Sequence, residues 1–231
     1  MKILVLSWEY PPRIIGGISR VVYDLAHNLG KNGNEVHVLT CWVPGTQDFE
    51  QDKNVYVHRV RVYNNISGNF VEWVMQLNFA MLEYAIGLVK KTDFDIIHGH
   101  DWLIAYAARV LKINYSLPLI TTIHATEYGR NFGIHTDLQR TINCVEKWLI
   151  NESDRIIVNS NYMRDELISV FSTDINKIKV INNGVDLRKF ENVSPDHEFR
   201  QNYAAPNEKI VFFVGRLVNE KGVHILLNAI P

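Results

Sequence analysis

An α/β fold built on a doubly wound parallel sheet is what the sequence predicts. Short apolar runs alternate with stretches of helical apolar period from residue 2 onward. Glycine and asparagine turn signals separate them, and unusual polar residues stand where each strand ends. That order of elements calls for parallel strands joined by crossover helices on both faces of one sheet.

Lys2–Leu6 reads as a buried strand, after which Ile18, Val21, Val22, Leu25 and Leu29 repeat at helical spacing up to Gly30 and the Asn32-Gly33 stop signal. Glu35–Leu39 is a second strand and Val55–Val62 a third. The third sets Tyr56, His58, Val60 and Val62 on one face and Val57, Arg59 and Arg61 on the other, which marks it as the more exposed. Asn69–Lys91 forms a long amphipathic helix, Asp95–His98 a short strand, Trp102–Lys112 a helix and Leu119–Ile123 a strand. Leu138, Ile142, Val145, Trp148 and Leu149 place a helix over Thr136–Ile150. Arg155–Val158 is the next strand, Ser160 caps a helix running to about Phe171, and Ile178–Ile181 closes the series. Residues 1–190 therefore make one domain. The polar stretch 191–208, with Pro195 and Pro206, is a linker, and Lys209–Val214 a strand opening a second domain of which 209–231 is the truncated start.

The chain's 231 residues, 47% of them hydrophobic, allow a large core, and a formal net charge of -1 gives no reason to expect nucleic acid as a partner. The apolar run Ile3–Leu6 is too short for a signal peptide or a membrane span, so a cytoplasmic protein is expected. Cys41 and Cys144 lack disulfide or metal-ligand spacing and read as packing residues among apolar neighbours.

In an open parallel sheet, ligands bind beyond the carboxyl ends of the strands. There the chain places Glu9, Arg13, Gly16 and Gly17, then His98-Gly99-His100-Asp101-Trp102, then His124, then Asn183. Paired glycines opening a helix let backbone N–H groups approach an anion, or simply serve the turn. His98 and His100 share a face, but two histidines without a third ligand make no metal site. Asp101 is either a helix cap or a site carboxylate, Trp102 either core or a sugar-stacking aromatic, and Asn183 either a ligand contact or a turn residue. Further on, Arg216 and Lys221 combine a planar donor fork with a point charge, a clamp suited to an anionic leaving group.

The ordered set Trp8-Glu9-Tyr10-Pro11-Pro12 with Gly16-Gly17, HGHDW, TIHAT, NNGVD and GRLVNEKG resembles the retaining glycosyltransferases of the glycogen/starch synthase and sucrose-synthase-like group. The resemblance covers essentially the whole chain and implies one half of a GT-B architecture, two Rossmann-like domains facing across a cleft. It implies that Gly16 and Gly17 approach the donor phosphates, that Asp101 and His124 lie at the reacting sugars, and that Arg216 and Lys221 hold the diphosphate. Glu9, Arg13, His100, Trp102 and Asn183 become candidate substrate contacts. The donor would be an ADP- or UDP-sugar acting as substrate, with no other cofactor and no metal, and the partner a carbohydrate acceptor. Bacterial glycogen synthases carry Lys-Thr before the paired glycines; here Ile14 and Ile15 stand there and Arg13 is the nearest cation. The group's glutamate-rich donor motif would lie beyond residue 231, which leaves the fragment inactive alone. A non-catalytic carbohydrate-binding or regulatory module is the alternative, and a sugar-nucleotide epimerase a more distant one.

Overall fold

The computed structural model describes residues 1–63, 68–191, 194 and 196–230. Pro195, in the predicted linker, falls outside them. The chain divides into two units, Met1–Asn183 and Gly184–Pro231.

The first unit is one sheet of eight strands with helices on both faces. In chain order its elements are β1 (Lys2–Leu6), α1 (Ile18–Lys31), β2 (Glu35–Cys41), β3 (Phe49–Asp52), β4 (Val55–Val60), α2 (Phe70–Val89), β5 (Ile96–His100), a 3-10 turn (Trp102–Ile104), α3 (Ala105–Tyr115), β6 (Leu119–Ile123), α4 (Glu127–Asn131), α5 (Asp137–Glu152), β7 (Arg155–Val158), α6 (Asn161–Phe171) and β8 (Ile178–Val180). The strand order is β3-β4-β2-β1-β5-β6-β7-β8, parallel throughout except for the β3–β4 pair. The order reverses at β1, whose two neighbours are β2 and β5. Loops leaving β1 and β5 diverge there, which opens a crevice at the carboxyl edge.

Alternation along the strands sorts the core. Ile3, Val5, Val36, Val38, Val55 and Val57 pack under Val22 and Ala26 of α1. Leu4, Leu6, Leu39, Ile97 and Leu119 point the other way, against Val74, Leu77 and Met81 of α2, Leu111 of α3 and Leu149 of α5. Toward the far edge, Ile123, Ile156 and Val158 meet Leu167 and Phe171 of α6. Side-chain caps fix the helix starts: Asn69 accepts from the Val71 N–H, Thr136 and Gln139 form a capping box, and Ser160 accepts from the Met163 N–H.

Four expectations require correction. The third predicted strand is not exposed: Val57 and His58 are buried and Arg59 is only 3% exposed. The cause is β3, a polar Phe-Glu-Gln-Asp strand without the apolar alternation that marks strands in sequence. It pairs antiparallel with β4 and supplies Glu50 to Arg59 at 2.7 Å. The helix predicted from Trp102 begins with a 3-10 turn, and the α-helix proper starts at Ala105. Cys144 is exposed, whereas Cys41 is buried; residue 144 falls on the solvent side of α5 despite its apolar neighbours in sequence. In the second unit, Lys209–Val214 forms no strand, and Ile210, Val211, Phe212 and Val214 are exposed. A strand is closed by hydrogen bonds from a neighbour, and among the described residues none pairs with this run. That unit instead holds α7 (His197–Gln201), a 3-10 turn at Asn219–Lys221 and α8 (Val223–Ala229). Among the described residues no helix is long and apolar enough to cross a membrane.

The junction below the site is held by one buried amide. Asn78 of α2 donates to the carbonyl oxygens of Val74 and Leu103, both at 2.7 Å, and accepts from the Ala107 N–H at 3.0 Å. It thereby satisfies groups that the switch from 3-10 turn to α-helix leaves free. Gly99, within β5, lets the Ile104 side chain pack against the strand, because a Cβ at that position would lie 2.6 Å from Ile104 Cδ1. Asn78→Leu is expected to orphan the Leu103 carbonyl and the Ala107 N–H at about 1–3 kcal/mol each, lowering Tm by several degrees. A thermal unfolding midpoint within a degree of wild type would show that these groups find other partners.

Candidate active site

Asp101 follows β5 with φ 57° and ψ 178°, a backbone region that is close to glycine-only. Holding a side chain there costs roughly 1–3 kcal/mol, so neighbouring contacts must fix it. They do. Its N–H donates to the Thr122 carbonyl at 3.0 Å, and its Oδ1 accepts from the His124 N–H at 2.7 Å. Its other oxygen, Oδ2, has no hydrogen-bond partner and lies 3.7 Å from the guanidinium of Arg130. The carboxylate is 1% exposed and makes no helix-cap bond, which corrects the capping alternative. Asp101 instead ties the end of β5 to the end of β6.

His98, His100 and His124 form a ladder beside it. Ring centroids of His98 and His100 are 4.5 Å apart, and those of His100 and His124 5.3 Å. His98 Nε2 bonds Thr122 Oγ1 at 2.8 Å, and His100 Nδ1 bonds His124 Nε2 at 3.0 Å. Burial pushes His98 down to about 4 and His100 well below the usual histidine range, so both rings are neutral at physiological pH. His100 is fully buried and stands behind His124 rather than at the surface of the crevice. His124 is half-buried, with Asn159 Nδ2 at 3.4 Å from its Nδ1. In the neutral ring that donor leaves the His124 proton on Nε2, shared with His100.

Beneath His124 the short α4 is seated on two buried glutamates from other helices. Glu146 of α5 accepts from the Glu127 N–H with both oxygens, at 2.9 and 3.1 Å. Burial pushes its carboxyl up to about 8, helped by the nearby Asp101 charge and opposed by the hydrogen bond and Arg130. Glu166 of α6 accepts from the Thr126 hydroxyl, and a Cβ on Gly129 would fall 2.6 Å from its Oε2. Arg130 reaches back between Asp101 and Glu127, 3.7 Å from each. Sequence reasoning passed over Arg130, Glu127, Glu146, Glu166 and Asn159. Glu146 did carry a signal: a charged residue beside Val145 on the Ile142/Leu149 stripe of an amphipathic helix is a polar residue on the buried face.

The loop after β1 supplies the remaining candidates. Glu9 is 1% exposed and folds back to accept from the Ile15 and Gly16 N–H groups at 3.0 and 2.8 Å. The Gly16 amide is thus already occupied, while Gly17 opens α1 without a side-chain cap and with nothing within 4 Å of a Cβ placed there. Trp102 is 3% exposed and packs edge-on against Phe70 at 6.0 Å, a core position that removes it from the sugar-stacking candidates. Arg13 lies against both the Trp8 and the Trp73 rings. Asn183 is exposed at the end of this unit; its neighbour Asn182 is the one tied in, donating to the Asn159 carbonyl at 2.8 Å. In the second unit Arg216 and Lys221 are exposed, with Arg216 3.3 Å from Glu220 Oε1. Among the described residues no group of three His, Cys, Asp or Glu side chains is arranged to hold a metal ion.

Comparison with known proteins gives a consistent result. The sequence profile of Glycosyltransferase Family 4 matches residues 15–189. A glycogen synthase of Mycobacterium tuberculosis is 36% identical over 246 residues, spanning 100% of this chain and 58% of its own length. The sucrose-phosphate synthase of Thermosynechococcus elongatus superposes with a TM-score of 0.82 at 21% identity, covering 99% of this chain and 59% of that one. An Anabaena protein solved with UDP and glucose superposes at 0.69 with 20% identity, covering 99% and 57%. The chain therefore spans less than two thirds of these proteins.

Two outcomes follow from the site's energetics. Glu146 keeps a proton when folded that the unfolded chain gives up near pH 4.5, so its contribution to stability declines as pH rises from about 4.5 to about 8. Glu146→Gln, which can still accept from Glu127, should gain in Tm relative to wild type progressively across that window; a difference independent of pH would show that Glu146 ionises normally. Asp101→Gly should be more stable than Asp101→Ala by about 1–3 kcal/mol, the strain a Cβ carries at this backbone position. Equal denaturation midpoints for the two variants would mean the backbone relaxes without cost.

Proposed function

Because the chain belongs to glycosyltransferase family 4, we propose that it is the acceptor-side part of a retaining GT-B enzyme. The reaction is transfer of a hexose from an ADP- or UDP-sugar to a hydroxyl acceptor, foremost a saccharide. The observation that carries this reading is the Asp101–His124 arrangement: a buried carboxylate, fixed on the His124 backbone N–H, beside a half-buried imidazole at the carboxyl edge of the sheet, next to its switch point. The names of the relatives, a glycogen synthase and a sucrose-phosphate synthase, and the UDP and glucose held by the Anabaena protein support the substrate class.

In this reading the acceptor hydroxyl oxygen attacks the anomeric carbon while the carbon–oxygen bond to the diphosphate breaks. The nucleoside diphosphate leaves with the bonding electrons, and its phosphate oxygen takes the acceptor proton. No enzyme nucleophile is needed, so the protein's contribution is placement and charge. His124 orients the transferred sugar through its ring and backbone carbonyl, with its own position set by Asp101, His100 and Asn159. Gly17 lets the donor phosphates approach the start of α1, and Arg216 and Lys221 stabilise the departing diphosphate. A cytoplasmic setting, where sugar nucleotides are made, fits this substrate.

The test uses the full-length protein. Nucleoside diphosphate release from UDP-glucose or ADP-glucose, in the presence of an oligoglucan, should fall by about 10²-fold or more in His124→Ala and Lys221→Ala. Undiminished release in both variants would overturn the assignment.

A further inference from the structure

The loop after β1 divides between the two faces of the sheet. Tyr10 turns under α1, its ring centroid 5.8 Å from that of Tyr23, and Gly17 leads into that same helix. Trp8 goes the other way, onto the core beneath α2 and α3. Arg13 follows Trp8. Its guanidinium carbon lies 5.4 Å from the Trp8 ring centroid and 5.3 Å from that of Trp73, in the first turn of α2. Phe70 completes the enclosure, stacked on Trp73 at 6.1 Å and edge-on to Trp8 at 6.4 Å. Two indoles in contact with one guanidinium restrict a side chain that otherwise samples many rotamers.

Arg13 combines this aromatic contact with the lack of a counter-charge. Arg59 is paired with Glu50 at 2.7 Å, Arg61 with Asp48 at 2.7 Å, and Arg130 lies between Asp101 and Glu127. Apart from β3, which runs antiparallel and is followed by Lys53, the loops leaving the carboxyl ends of this unit's strands contain no lysine. Among the described residues Arg13 has no ion-pair partner, and both its Nε and the Nε1 of Trp8 are buried without a hydrogen-bond acceptor. Two N–H donors and a permanent cation gathered without an oxygen to receive them leave their desolvation uncompensated until a ligand supplies one. A donor-only, cationic cage selects an anionic oxygen group, because a guanidinium binds a phosphate or carboxylate with charge-assisted bonds that a neutral hydroxyl does not match.

We propose that Arg13 and Trp8 Nε1 bind an oxyanion carried by the acceptor, so that this enzyme prefers a phosphorylated or carboxylated acceptor to a neutral one. The proposal rests on the glycosyltransferase reading for the word acceptor. It also assigns Arg13 to the acceptor rather than to the donor phosphates, since Arg13 sits on the α2 face and Gly17 belongs to α1 on the opposite one.

The enclosure reports on itself, because Trp8 and Trp73 form its walls. Tryptophan fluorescence titrations of this chain at low ionic strength, with glucose 1-phosphate, glucuronate and glucose, should show at least one charged probe binding tenfold or more tighter than glucose. Which charged probe binds tighter identifies the oxyanion. Arg13→Gln should bring the charged probes to the level of glucose, and Arg13→Lys should retain part of the preference, with thermal unfolding confirming that each variant is folded. Should Arg13→Gln unfold, loss of the preference with added salt in wild type and in Arg13→Lys takes its place. Equal binding of charged and neutral probes, no binding by any of them, or a preference that survives removal of the charge overturns the proposal. Steady-state kinetics on the full-length protein separate this from the reading beneath it. Absence of sugar transfer from any sugar nucleotide would defeat the glycosyltransferase assignment and leave the binding result standing. Transfer in which Arg13→Gln raises KM for the donor and not for the acceptor would instead show that Arg13 serves the donor.

Discussion

One carboxylate governs the geometry of the crevice. Asp101 leaves β5 in a backbone conformation that a side chain seldom adopts, and its Oδ1 receives the N–H of His124 at the end of β6. Parallel neighbours diverge beyond their last ladder bond, so without that link the two loops would be free to move apart. The link sets where His124 stands, and His124 in turn sets its hydrogen bonds to His100 and Asn159. Strain at this residue is sustained only because Thr122, His124 and Arg130 over-determine its position. Such conformations persist where a fold holds a group for use, and this one follows β5, the strand that borders the switch point of the sheet.

Three of the buried titratable groups around Asp101 are uncharged. His98 and His100 are kept neutral by burial, and Glu146 is held as the neutral acid through most of the physiological range. Arg130 stands between Asp101 and Glu127 without closing onto either. Keeping these three buried groups uncharged limits the charge that must be held in a medium that screens weakly. The aromatic cage around Arg13 follows the same logic on the other side of β1, where indole faces rather than a carboxylate hold the cation.

Much of the fold was legible because its signals are local. Helical spacing located α1, α2 and α5, and the cap residue Ser160 marked the start of α6. The alternation of Ile3 and Val5 with Leu4 and Leu6 reads as a strand buried on both faces. β3 was invisible because Phe-Glu-Gln-Asp has neither β-branched residues nor apolar alternation; it is a strand by virtue of its pairing with β4. The reverse error occurred at Lys209–Val214, an apolar run of strand composition that pairs with no neighbour among the described residues. Trp102 and Glu146 were misplaced or missed because one residue's burial depends on where a distant helix lies.

The sequence by itself determined the order of elements, the residues available at each strand end and the family to which the motifs belong, since all three are properties of a chain read in one dimension. Tertiary structure decided which of those residues meet. It set Asp101 on the His124 backbone, withdrew Trp102 and His100 into the interior, drew Glu9 back onto Gly16, and brought in Arg130, Glu146 and Asn159. The physical reason is that hydrogen-bond partners, burial and the pKa values that follow from them depend on distances between segments tens of residues apart. Packing sets those distances, and no local pattern encodes them.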